Sequence, residues 1–266
     1  MSQIRGYLHL HSSHSYDSKL TLAEIKEKSL ALGMSFAAMT EHTDVLTPKD
    51  VQSAANECRA QSDSNFIFIP GFELPYKKYH ILIIGASDIR LDLPPLEAIK
   101  VAKQQGAWIV LAHPHRNHYQ IDPELMVLLD GIEIWNQQYD GKHYPRIQAL
   151  ELFEKSLIQK TSLLATAGLD LHRMSHLGTP YLELSSAELS ERSLLEALKA
   201  GNYEIKGKKL KLLPHPQLAG FKRFSLNIFS RLSCGLIRMG KVTGKWLRQH
   251  NLAMPSRFKE TVRRWL

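Results

Sequence analysis

Short apolar stretches alternate with longer segments of helical period along the first 205 residues. Short apolar runs are typical of strands that are buried on both faces, and their alternation with helical segments favours repeated βα units over an all-β sandwich. The pattern predicts seven strands, at Gly6 to His11, Phe36 to Thr40, Phe66 to Gly71, His80 to Gly85, Trp108 to Ala112, Gly131 to Trp135 and Leu163 to Gly168.

Helical segments separate most of these strands. The first, Thr21 to Leu32, begins with the capping-box pattern Thr21-x-x-Glu24 and ends before Gly33. Crossover helices of this kind predict a parallel sheet, either open and doubly wound or closed as a barrel, and the pattern alone does not choose between the two. The remaining predicted helices are Pro48 to Ala60, Pro94 to Gln105, Tyr144 to Gln159 and Ser190 to Ala200.

The charge is distributed unevenly. Residues 206 to 266 contain 15 Lys and Arg and one acid, whereas residues 1 to 205 contain 19 Lys and Arg and 25 Asp and Glu. We therefore divide the chain into a catalytic unit, 1–205, and a basic tail, 206–266, with Lys206 to Lys211 as a linker-like run. Two cysteines exclude a disulfide framework, and the amino terminus lacks a signal-peptide pattern, so a cytoplasmic location is expected.

The basic tail contains an amphipathic segment, residues 221–247. On a helix its apolar residues would fall in one sector about 140° wide, with the cations on the other side. Such a helix suits the surface of an anionic membrane, which would make the protein peripheral to the inner face of a membrane. Packing on the catalytic unit or another subunit and binding of nucleic acid remain open alternatives.

Histidines and acids cluster at the ends of the predicted strands. The carboxyl ends of parallel strands share one crevice, where such folds carry their chemistry. His80 is an exception, since it lies at the start of its strand. Residues i and i+2 of a strand share a face, so His9 with His11, and Asp170 with His172, suit chelation of Zn, Mn or Fe. The set is His9-Leu-His11, Glu41-His42, Glu73, His80, His113-Pro-His115 and Asp170-Leu-His172.

These motifs resemble the PHP (polymerase and histidinol phosphatase) family of metal-dependent phosphoesterases. The resemblance spans roughly residues 5 to 200 and rests on six motifs in the family's order. It implies a distorted (β/α)7 barrel with up to three divalent transition metals, Zn, Mn or Fe, and so resolves the choice left open above. The motifs are Leu8-His9-Leu10-His11, Thr40-Glu41-His42, Gly71-Phe72-Glu73, His80-Ile-Leu-Ile-Ile-Gly85, Ala112-His113-Pro114 and Asp170-Leu171-His172.

The resemblance also implies a ligand set. One metal would be held by His9, His11, Glu73 and Asp170. Glu73 would bridge to a second metal held by His80 and His113, and Asp17, His42 and His172 would hold the third. The chain departs from the family in placing its acid at Asp17, one position later than usual, in having Glu41 before His42, and in lacking a helical insertion between His80 and His113.

Three further residues are candidates for the chemistry. His115 and Arg116 follow a ligand and are predicted to bind phosphate or protonate the leaving oxygen, and Arg173 is a candidate substrate-binding residue. The sequence thus predicts a metal-dependent hydrolase of phosphate esters that uses metal-activated water. The substrate would be a phosphorylated small molecule or short nucleic acid. The alternatives are a nuclease recruited to RNA or DNA by the tail, and a non-catalytic metal-bound scaffold.

Overall fold

The computed structural model describes residues 4–185 and 188–216, and the predicted amphipathic helix at 221–247 lies outside these residues. All seven predicted strands are confirmed, and each of their ends lies within two residues of the predicted position. In chain order the described strands are β1 Ile4–Leu10, β2 Phe36–Met39, β3 Glu41–His42, β4 Ile67–Ile69, β5 Gly71–Tyr76, β6 Tyr79–Ile84, β7 Trp108–Leu111, β8 Gly131–Asn136, β9 Leu164–Gly168, β10 Tyr181–Leu184, β11 Tyr203–Lys206 and β12 Lys211–Leu212.

The strands of the described ranges form two six-stranded sheets, in the orders β12-β11-β10-β1-β2-β4 and β3-β5-β6-β7-β8-β9. Each sheet is mixed, so the prediction of a purely parallel sheet was wrong. Strand β6 runs antiparallel to β5 and β7, because Lys77 and Lys78 turn the chain directly from β5 into β6. Pro75 interrupts the apolar pattern of β5, so the sequence did not predict this strand. This proline is tolerated because β3 has already ended and that edge of β5 needs no N–H donor.

The two sheets are joined along their edges. Strand β2 leads into β3 across Thr40, and β4 leads into β5 across Pro70. The chain after β9 pairs with β1, where the Leu169 amide donates to the Leu8 carbonyl (3.0 Å) and the Leu171 amide donates to the His9 carbonyl (3.2 Å). The fold is therefore mixed α/β, as predicted, and closure into a seven-stranded barrel stays a prediction.

Helices flank the sheets. The predicted capping box at Thr21 and Glu24 is confirmed, and Thr47 with Asp50 forms a second one at α2. Helix α6 begins later than predicted because Pro145 restrains Tyr144 to an extended backbone. The helices are α1 Leu22–Ala31, α2 Pro48–Gln61, α3 Pro95–Gln104, α4 Pro123–Met126, α5 Gln137–Asp140, α6 Ile147–Gln159 and α7 Glu191–Lys199.

Strands β11 and β12 extend the folded unit beyond residue 205. The Ala165 amide donates to the Pro214 carbonyl (2.7 Å), and Gly207 packs so closely on Trp135 that an added Cβ would lie 2.1 Å from its ring. The linker-like interpretation of Lys206 to Lys211 was therefore wrong, because these residues form a hairpin. The boundary between catalytic unit and tail stays a prediction. Among the helices at 4–185 and 188–216, none has the length and apolar character needed to cross a membrane.

Candidate metal centre

The nine predicted ligands lie together at one end of the sheets. Strand direction explains how His80 joins them. Because β6 is antiparallel to β5, the start of β6 lies beside the far part of β5, and Pro75 pairs with His80 in the register. Ligand atoms lie within 4.8 Å of one another in four groups, namely His9, His113 and Asp170; His9, His11 and Glu73; Glu73, His80 and His113; and His11, His42 and His172.

Glu73 lies at the centre of this cluster and is 1% exposed. Its Oε2 is 3.2 Å from His9 Nε2 and 3.3 Å from His11 Nε2. Its Oε1 is 3.1 Å from His113 Nε2 and in contact with His80 Nδ1. One carboxylate thus separates two sets of imidazoles, which is the arrangement expected of a group that bridges two cations.

The third predicted ligand group lies at the rim. His172 Nε2 is 3.0 Å from Asp17 Oδ2 and 3.4 Å from His42 Nε2. Asp17 also approaches His42 Nε2 at 3.5 Å, although its side chain is 37% exposed. Its position one residue later than the family pattern therefore still brings it to the two histidines.

The donor set fits metal ions. His11 Nε2 is buried and makes no hydrogen bond, although Glu73 is nearby. Burial lowers the pKa of His11 to about 4, so its imidazole is neutral, the form that binds a metal. Its ring stacks on His42 at 4.2 Å and on His172 at 4.3 Å between centroids. Imidazoles and carboxylates gathered without thiolates match Zn, Mn or Fe.

Three of the predicted ligands have a left-handed backbone. The φ angles are 63° at His9, 25° at His113 and 52° at Asp170. Such angles cost a non-glycine residue about 1–3 kcal/mol and cluster at functional sites. The register between β1 and β2 also shifts between Leu8 and Leu10. The sequence-based prediction assumed that His9 and His11 share one face of a regular strand. The two residues do lie close together, but the irregular register at Leu8 to Leu10 also determines the position of His9.

Sequence reasoning missed Glu133, which orients two of the histidines. Its Oε1 lies 2.9 Å from His9 Nδ1, and its Oε2 accepts from the His113 amide at 2.7 Å and from Asn136 Nδ2 at 2.8 Å. It is 1% exposed. The available signal was an acid inside the apolar run of β8, where an unpaired carboxylate would be costly. The backbone N–H of Asn136 donates to Asp140 Oδ2.

Glu41 holds the loop that carries Asp17. It is buried and accepts from the Ser12 amide at 3.1 Å and from Ser15 Oγ at 2.6 Å. Burial raises the pKa of Glu41, and these hydrogen bonds oppose that rise. The residue that departs from the family pattern thus supports the loop beside the rim ligands.

The metal centre forms one side of a cavity of about 1210 Å³. Arg116 and Arg173 line this cavity together with Tyr139, and the substrate-binding roles predicted for the two arginines stay predictions. His115 does not line it. Its ring lies 4.2 Å from that of Tyr139 and faces a separate small cavity, so its predicted catalytic role stays a prediction.

Comparisons with solved structures agree with this architecture. A two-domain protein from Bacteroides vulgatus that contains a predicted PHP-like metal-dependent phosphoesterase is similar at a TM-score of 0.58 and 18% identity, over 79% of this chain and 66% of that one. The present chain thus spans just under two thirds of that protein. At this identity the likeness shows the fold alone.

Two further structures are more distant. A protein from Bifidobacterium adolescentis assigned as a metal-dependent phosphoesterase has a TM-score of 0.48 and 16% identity, over 73% of this chain and 95% of that one. The lesion-specific endonuclease of Pyrococcus furiosus has a TM-score of 0.48 and 16% identity, over 80% of this chain and 60% of that one. No curated protein matches this chain in sequence.

The PHP domain family model matches residues 7–205, three quarters of the chain and the range that carries all nine clustered residues. The resemblance seen in the motifs is thereby confirmed, and the chain belongs to the PHP family of metal-dependent phosphoesterases.

Proposed function

We propose that the protein hydrolyses phosphate esters at a centre of up to three divalent transition metals. The observation that carries the proposal is the convergence of six histidines with the carboxylates of Glu73 and Asp170 at one side of a cavity. His9, His11, Glu73 and Asp170 would hold one ion, and Glu73, His80 and His113 a second. Asp17, His42 and His172 would hold the third.

Metal ions bound there would supply Lewis acidity and a water whose pKa is lowered to about 7. The protein's part is to fix its ligands. Glu133 orients His9 and His113 through the hydrogen bonds described above, and the buried position of Glu73 excludes water from its carboxylate. Ligand geometry is therefore set before the substrate binds.

Arg116 would bind the phosphate. It is exposed in the cavity wall and lies within the short helix Pro114–Asn117, which directly follows His113. A guanidinium there can donate two hydrogen bonds to phosphate oxygens. Burial raises the pKa of Tyr139 to about 12, so the hydroxyl of this cavity-lining residue keeps its proton near neutral pH.

The test is elemental analysis of protein purified without added metal, coupled to hydrolysis of an aryl phosphate. We expect one to three transition-metal ions per chain, loss of activity with a chelator and recovery with Mn²⁺ or Zn²⁺. Equal hydrolysis by metal-free protein would refute the proposal. Assays of a mononucleotide, a sugar phosphate and a short oligonucleotide side by side distinguish a phosphatase from the nuclease alternative. Complete inactivity of the metal-loaded protein would favour the scaffold alternative.

For the basic tail we retain the proposal that residues 221–247 bind an anionic membrane surface. Its support is the apolar stripe and the excess of cations in the sequence. Flotation with anionic vesicles tests it by comparing the full chain with a chain that ends at Pro216. Equal binding by both would contradict it. Loss of oligonucleotide binding on the same truncation, with a steep dependence on salt, would instead assign the tail to nucleic acid.

A further inference from the structure

A group of cations lies in the cavity beside the metal centre. Lys142 comes from the segment between α5 and α6, and Arg173 and His176 come from the segment after β9. Thr179 Oγ1 donates to the Lys142 carbonyl at 3.0 Å and so fastens the two segments together. We call Lys142 and Arg173 the cationic wall, and the His176 imidazole lies near both of them.

The cationic wall has no acidic partners in the described part of the chain. Neither Lys142 nor Arg173 forms an ion pair there, although Lys77, Lys206 and many other cations do. Lys142 is half-buried, and His176 Nδ1 is buried without a hydrogen bond. A partly desolvated cation without a partner is unfavourable, so this wall is a place where a bound anion would be stabilised.

One neighbour of the cationic wall, Lys208, is also positively charged. Burial lowers the pKa of Lys142, and the charge of Lys208 on the turn between β11 and β12 lowers it further. Burial likewise lowers the pKa of His176, followed by the charges of Lys142 and Arg173. Lys142 is thus repelled by the charge of Lys208, and a negatively charged group bound beside Lys142 would relieve that repulsion.

The charge in the cavity is therefore divided. Three of the acids that line the cavity, Asp17, Glu73 and Asp170, are predicted metal ligands, whose charge bound cations would neutralise. The fourth, Asp44, follows the predicted ligand His42 by two residues, and none of the four forms an ion pair with the cationic wall. At about 1210 Å³ the cavity is far larger than one phosphate group, and drug-sized ligands fill about 300–1,000 Å³. The cavity can accommodate a molecule with anionic groups at both places.

We propose that the cationic wall binds a second phosphate group of the substrate, separate from the phosphate that is hydrolysed. This inference rests on the proposed function, because it assigns the first phosphate to the metal centre. Two sources share the required chemistry, a small molecule with two phosphates and a nucleic acid strand with a terminal phosphate.

Calorimetric titration of the metal-containing protein with ligands that resist hydrolysis tests the inference. The probes are hexane-1,6-diyl bisphosphonate and hexyl phosphonate, which differ in the second anionic group. We expect the wild type to bind the bisphosphonate about tenfold or more tightly than the monophosphonate, the gain of one charge-assisted contact. In Lys142→Gln that preference should fall to about twofold, with hexyl phosphonate binding unchanged.

Two variants serve as controls. Lys142→Arg keeps the charge and should keep most of the preference, and Lys49→Gln removes an exposed lysine that lies outside this cavity and should keep all of it. If the wild type prefers a 5′-phosphorylated thymidine pentanucleotide instead, and Lys142→Gln abolishes that preference, the second phosphate belongs to a nucleic acid strand.

Equal binding of the bisphosphonate and the monophosphonate, with no Lys142-dependent binding of the pentanucleotide, overturns the inference and leaves phosphate hydrolysis intact. A Lys142-dependent preference in a protein that hydrolyses no phosphate ester overturns the proposed function instead. Loss of the preference in Lys49→Gln also counts against the inference, because it would show that the effect does not depend on the cationic wall.

Discussion

Two dense groups of charged residues occupy neighbouring parts of this protein, and they differ in burial. The metal centre is built around Glu73, which is 1% exposed. The other group, which we call the turn cluster, lies at the turn from β5 to β6 and consists of Lys77, Asp122 and Glu124. Lys77 Nζ is 3.0 Å from Asp122 Oδ2 and 2.6 Å from Glu124 Oε1, and all three side chains are at least 34% exposed.

The difference shows when a charge cluster becomes a site. In the turn cluster each charge has a partner of opposite sign and is in contact with water. The ion pairs therefore add little stability, and no charge in the cluster needs a bound ligand to balance it. In the metal centre, imidazole nitrogens and carboxylate oxygens converge in a mostly buried cluster, and His11 Nε2 and His113 Nδ1 are buried without a hydrogen bond. A metal ion is the partner that such a group lacks.

We expect the largest effect from Glu73→Gln, which changes the residue at the centre of the buried cluster. An amide cannot replace the charge that two neighbouring cations would share, so we expect turnover of an aryl phosphate to fall by about 1,000-fold or more, with a lower metal content. Steady-state kinetics and elemental analysis measure both. Glu124→Gln in the turn cluster is the matched control and should stay within about twofold of wild type. Similar losses in both variants would contradict the distinction.

Glu133→Gln changes a residue that is not a predicted ligand but contacts two of them, His9 and His113. Glu133 accepts from both His113 and Asn136 through one oxygen, and an amide group would place a donor against donors or lose the contact with His9. We expect metal affinity, measured by competition with a chelator, to fall about 10- to 100-fold while circular dichroism shows a folded protein. An unchanged affinity would mean that Glu133 does not hold the histidines in place.

Gly168→Ala tests how tightly the centre is packed. The added Cβ would lie 2.0 Å from Glu133 Oε1 and 2.6 Å from His9 Cβ, so both side chains must shift. We expect a loss of about 1–3 kcal/mol in unfolding free energy, together with reduced activity. Gly106→Ala is the comparison, since no neighbouring atom is within 4 Å there and only its φ of 96° is strained. Gly106→Ala should lose stability and keep activity.

Lys77→Gln should have the smallest effect. The lysine belongs to an exposed ion-pair cluster, and solvent screens its interactions. We expect the thermal midpoint to stay within about 2 °C of wild type and aryl phosphate hydrolysis to be unchanged. A large loss of stability would show that the turn cluster does more than carry solvated charge.

Much of the fold could be predicted because the local pattern of apolar and polar residues indicates which segments are buried. The seven strands are apolar runs whose side chains enter the core, and the capping box at Thr21 acts within one turn of chain. Strands β3, β5 and β10 to β12 were missed, and local features of the sequence explain several of these cases. Pro75 breaks the pattern of β5, and β11 and β12 alternate apolar with charged residues in a segment rich in lysine.

The candidate ligands could be predicted from their residue types and from their positions at strand ends. The residues that hold the ligands in place could not be predicted in this way. Glu133 resembles any acid until β8 and β9 bring it beneath His9, and the separation of His115 from the main cavity depends on the ring of Tyr139.

By itself the sequence determined the PHP family, the strand set and a list of residues that can bind metal, because composition and spacing are local properties. Tertiary structure alone decided the direction of β6, which brings His80 to the centre, and the left-handed backbone at His9, His113 and Asp170. It also decided which charges find partners, leaving Lys142 without an acid among the residues described. These outcomes depend on distances between segments far apart in the chain, and packing of the whole core fixes them.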